Sequence, residues 1–158
     1  MKSTKPIRYV IYICIATILL YLPFHVPSYQ LNMKQLQKQL DASINHEYVR
    51  ASQPNELRQF YHIDSNDVKA VILYLPATSM RVNEVLVLEA ASNETAEKLM
   101  TFVAERNNRQ YTIFEGYGPK QCELLKQAIL KQKGPYLIYI VGEDAAKLEA
   151  IIDAEVKS

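Results

Sequence analysis

Glycine, cysteine and histidine are scarce in this chain, and each scarcity closes off a class of function. The 158 residues contain four glycines, two cysteines and three histidines. Two cysteines cannot build a disulfide framework, and Cys14 sits in an apolar run while Cys122 falls on a predicted helix. No spacing of Cys and His matches a zinc site, so no metal and no cofactor are expected. A phosphate-gripping loop needs several glycines after a strand, followed by a helix whose free N–H groups face the anion. Here Gly116-Tyr117-Gly118-Pro119 follows a predicted helix, and no Lys-Ser or Lys-Thr pair comes directly after it. The two glycines read instead as a joint, with Gly118 capping a new helix and Pro119 opening it. Catalytic templates are missing as well. His46-Glu47 lacks the second histidine of a zinc protease, and neither Gly-x-Ser-x-Gly nor Ser-x-x-Lys occurs. The expectation is a protein that is not an enzyme.

Charge is present but nearly balanced, with eighteen basic against seventeen acidic residues and a net charge of +1. That balance argues against nucleic-acid binding, which concentrates positive charge on one face. Lys2, Lys5 and Arg8 precede an uncharged run from Tyr9 to Val26, and the rest of the chain is mildly acidic. As a helix the run would cover about 27 Å, close to a hydrocarbon core of about 30 Å. Basic residues before such a run keep the N-terminus in the cytoplasm. This predicts a single-pass anchor over 9–26 in the cell membrane, with 1–8 inside and the remainder outside. A cleaved signal peptide, with Val26-Pro27-Ser28 as its site, and a lipoprotein attached through Cys14 are the alternatives.

Residues 27–52 read as a tether holding an amphipathic helix, with Leu31, Leu36, Leu40 and Ile44 on one face. Residues 53–158 read as one extracytoplasmic α+β domain. Pro54 suits the first turn of a short helix with Leu57, Phe60 and Tyr61 inward. Strands are predicted at 68–76 and 84–91, rich in β-branched and apolar residues. A long helix capped by Asn93 follows, burying Ala96, Leu99, Met100 and Val103. The next helix runs from Pro119 through Lys131 and Lys133 to Gly134. A third, central strand spans 136–141, and Asp144 opens a last helix. The sum is a small, mostly antiparallel three-stranded sheet packed with helices, behind an N-terminal transmembrane helix.

Glu84 and Arg106 can meet as an ion pair joining strand to helix. Glu84 and Glu89, five residues apart on a strand, point to opposite faces. Tyr117, a large side chain between two glycines, either plugs the core or projects as a contact, and Gln121 lies one helical turn on. Tyr74, Tyr136 and Tyr139 are candidates to line a ligand pocket beside the sheet.

Several of these features together resemble a bacterial family of domains of unknown function. They are Asn83-Glu84 opening a strand, Arg106 late in the long helix, Tyr117-x-Pro119-x-Gln121, and Gly134-x-Tyr136 leading into an apolar strand. The likeness covers about Glu56 to Val156. It implies small lipoproteins and membrane-tethered envelope proteins of Gram-positive bacteria, with no assigned activity. The expected function is non-enzymatic binding of an envelope protein or cell-wall partner, through Tyr117, Gln121, Glu84 and Arg106. An extracytoplasmic small-ligand sensor or carrier, and an envelope enzyme without a recognisable motif, are the rivals.

Overall fold

In this computed structural model a five-stranded antiparallel sheet, in the order β1-β2-β3-β5-β4, forms the middle layer. The structure describes residues 5–21, 29–53 and 55–156. The strands are β1 (Val49–Ala51), β2 (Val68–Pro76), β3 (Glu84–Ala90), β4 (Ile129–Lys133) and β5 (Tyr136–Val141). The helices are α1 (Lys5–Tyr21), α2 (Met33–Ser43), α3 (Glu56–Tyr61), α4 (Asn93–Phe114), α5 (Pro119–Lys126) and α6 (Ala145–Glu155).

The centre of the sheet follows from composition. β3 and β5 are near-continuous apolar runs, and such runs suit a strand covered on both faces. Alternation divides their side chains. Leu86, Leu88, Leu137 and Tyr139 face one core with α3, α4 and α5. Val85, Val87, Ile138 and Ile140 face a second core with α2 and α6. Each fully buried Leu or Val contributes on the order of 1.5–3 kcal/mol relative to exposure. Residues 33–51 therefore belong to the folded unit, since Leu36, Leu40, Ile44 and Val49 are buried in the second core.

The expected three-stranded sheet is corrected to five, and both additional strands lie at its edges. β1 is three residues long and pairs with Tyr74–Pro76 of β2, too short to leave a periodic signal. β4 occupies what reads as the end of a helix. α5 stops at Lys126, and Ile129–Lys133 pairs with β5 in a hairpin. Gly134 takes φ +57° at the first of the two turn positions, where type II′ hairpin turns place glycine. Lys131 and Lys133 share one face of β4 and reach Asp153 of α6 at 2.8 and 3.0 Å. The pairing partner, absent from any local window, decides for strand. A smaller correction concerns α4, whose cap is Ser92: its hydroxyl accepts from the Thr95 amide at 3.1 Å.

The expected transmembrane helix is also corrected. Among the described residues no helix is long and apolar enough to cross a membrane. α1 has 17 residues and begins on charged Lys5. Its uncharged part from Tyr9 to Tyr21 covers about 20 Å at 1.5 Å per residue, well short of about 30 Å. Its side chains from Tyr9 to Ile18 are exposed. The remainder of the 9–26 segment, the Val26-Pro27-Ser28 site, His25 and Pro54 lie outside the described residues.

Candidate functional site

α4 is long enough to reach from the sheet's centre to its rim, and its C-terminal half forms one wall of a groove. The opposite wall is the connection between β2 and β3, residues 77–83, together with β1. The groove encloses about 540 Å³, and Arg50, Arg81 and Arg106 line it with Phe60, Ile113 and Tyr117. Among the described residues no Asp or Glu lines it. Met80, Ile113 and Tyr117 are each more than half exposed along it.

Arg106 is fixed from below. Its Nε and Nη2 donate to the two oxygens of Glu84, each at 3.0 Å. The Tyr61 hydroxyl also donates to Glu84 Oε1. Burial pushes the Glu84 carboxyl above its usual range, while Arg106 and Tyr61 pull it back down. Burial opposes the charge on Arg106, but the Glu84 carboxylate more than offsets it and raises the guanidinium further. Nη1 of Arg106 takes no part in the pair, and the guanidinium carbon lies 4.9 Å from the centre of the Phe60 ring.

The other two arginines are held differently. Arg50 donates to both oxygens of Glu56 at 2.9 and 2.6 Å. These hydrogen bonds hold the Glu56 carboxyl down at about 2, against some burial. Arg81 stacks its guanidinium on the Tyr48 ring, 4.0 Å from the centroid. Among the described residues it makes no ion pair.

The glycine-rich joint shapes the open end. A Cβ on Gly118 would come within 2.7 Å of the Phe114 ring, so the chain passes directly over a buried aromatic. Pro119 opens α5, and Tyr117 leans on Phe114 with ring centroids 5.3 Å apart while its own ring stays exposed. Gln121 donates from Nε2 to the Met80 carbonyl at 3.0 Å, tying the joint to the opposite wall.

All four candidate residues thus belong to one region. Tyr117 stands on the rim, Gln121 ties the walls, Arg106 lines the groove and Glu84 anchors it. Glu84 and Glu89 lie on opposite faces of β3, as alternation requires. Sequence reasoning missed Arg50 and Arg81, which enter from a three-residue strand and a loop. Their charge beside apolar neighbours is the signal, and nothing local distinguishes it from a solvated surface.

The three tyrosines do not form one pocket. Tyr74 is in the second core and donates to Asp41, and Tyr136 shares that face and accepts from the Leu31 amide. Tyr139 lies in the first core and donates to Asn107. Among the described residues no group of three or more His, Cys, Asp or Glu is placed to hold a metal ion. Cys14 is exposed and Cys122 buried, and both are free.

No curated protein and no solved structure matches this chain. The sequence profile of a domain of unknown function, DUF4358, matches residues 40–142. That span runs from the end of α2 to the end of β5, taking in all five strands and every groove residue. The chain belongs to the DUF4358 family.

Proposed function

We propose that this protein is a non-enzymatic binding domain of the bacterial cell envelope, acting outside the cytoplasm, and that the groove between α4 and residues 77–83 receives its partner. The observation that carries this reading is the coincidence of Met80, Ile113 and Tyr117, three exposed apolar side chains, along one groove. Apolar side chains scattered singly are ordinary, but a cluster around a concavity is the usual mark of an interaction site. The walls are held by a buried ion pair and by the Gln121 bond, so the surface is organised before binding, which lowers the cost of association.

The chemistry lining the groove is suited to holding rather than transforming. The two buried carboxylates behind it, Glu84 and Glu56, have both oxygens engaged by Arg106 and Arg50. The envelope location rests on the resemblance to Gram-positive lipoproteins and tethered proteins, and on the order of residues 2–21, basic and then apolar, which suits an export segment. The test is affinity capture by the full chain from its own cells, comparing wild type with Ile113→Ser and Tyr117→Ser. Loss of one defined partner in variants that unfold like wild type is the expected result. Equal capture by all three would remove the groove from the function.

A further inference from the structure

We infer that the occupant of the groove is an acidic segment of a partner protein, an Asp or Glu flanked by apolar side chains. This rests on the reading of the groove as a binding surface and adds the chemistry of what fills it. The groove combines three guanidinium groups with an apolar floor, and among the described residues no Asp or Glu lines it. Of the three, Arg50 and Arg106 already hold carboxylates through paired hydrogen bonds. Arg81 makes no ion pair among the described residues and is oriented by stacking on Tyr48 at 4.0 Å. A stacked guanidinium keeps its planar edge available, and that edge is the fork which takes a carboxylate through two parallel hydrogen bonds.

Two features favour a peptide. The cavity of about 540 Å³ exposes Met80, Ile113 and Tyr117, enough apolar surface for side chains on both sides of a carboxylate. Arg81 stands on one wall and Ile113 with Tyr117 on the other, so an extended chain lying between them meets the Arg81 guanidinium on one side and apolar side chains on the other.

The test pans the full chain, in mild detergent, against a displayed library of random seven-residue peptides. Recovered peptides should carry Asp or Glu next to Leu, Ile, Phe or Tyr. Their affinity should fall about tenfold or more in Arg81→Gln and partly recover in Arg81→Lys, which keeps the charge and loses the fork. Binding that depends on Ile113 and Tyr117 but shows no acidic enrichment and ignores Arg81→Gln overturns the inference and leaves the binding groove standing. Binding indifferent to Arg81, Ile113 and Tyr117 alike overturns both. Failure to enrich any peptide also overturns the inference, as does displacement of the peptides by millimolar inorganic phosphate alone, which would mark a simple anion pocket. Chemical cross-linking of the chain to itself that Arg81→Gln abolishes would make a second copy the occupant.

Discussion

Arg106 on α4 grips Glu84 on β3 through two hydrogen bonds of 3.0 Å, joining helix to sheet directly beneath the groove. Both side chains are buried. A buried pair broken on one side leaves an uncompensated charge, a loss of about 3–5 kcal/mol. Arg106→Ala is expected to lower the unfolding free energy by about that amount in urea titration. The double variant Glu84→Leu/Arg106→Leu is expected to recover most of it. A double variant as unstable as the two single losses summed would contradict the pairing.

The two glycines of the joint are expected to behave differently. Nothing lies within 4 Å of a Cβ on Gly116, whereas one on Gly118 meets the Phe114 ring at 2.7 Å. Gly116→Ala should stay within about 0.5 kcal/mol of wild type. Gly118→Ala should cost about 1–3 kcal/mol through overpacking. Thermal unfolding of the two variants side by side checks this.

Acid should weaken the fold over a definite window. The hydrogen bonds from Arg50 hold Glu56 down at about 2, and those from Lys120 do the same for Glu143, with Asn83 assisting. Both folded values lie below the ordinary 4.5. The unfolded chain therefore takes up these protons first, and the stabilisation, present above pH 4.5, is lost as pH falls toward about 2. Urea midpoints measured between pH 6 and pH 2 should fall in that window. The fall should be shallower in Glu56→Gln, and an identical slope in the variant would contradict the assignment.

Gln121 ties the joint to residues 77–83 through the Met80 carbonyl. Gln121→Ala is expected to cost about 0.5–1.5 kcal/mol at most. It should also speed amide hydrogen exchange across residues 77–83 while leaving β3 and β5 protected. Unchanged exchange there would mean that the tie does not hold the wall.

Much of this architecture is legible in the residues. β2, β3 and β5 declare themselves by dense β-branched and apolar content, and α4 by its stripe of Ala96, Leu99 and Val103. The Glu84–Arg106 pair is legible too, since a carboxylate that opens an apolar strand needs a partner. β4 is not. Leu124, Leu125, Ala128 and Ile129 recur at helical intervals, and only pairing with β5 and the tight turn at Gly134 convert the end of that run into a strand. The groove is less legible still, because its arginines come from positions 50, 81 and 106 and converge only in the fold. The apolar stretch after Arg8 suggests a spanning helix, but the described helix ends at Tyr21 and its uncharged part is too short.

The central claim is that a partner occupies the groove, and a photo-reactive amino acid placed at Ile113 tests it most directly. The same group at exposed Lys38, on α2 across the sheet, serves as the control. After irradiation in the native cells, a discrete adduct at position 113 and none at position 38 is the predicted result. No adduct at position 113, or the same adduct at both positions, would contradict it.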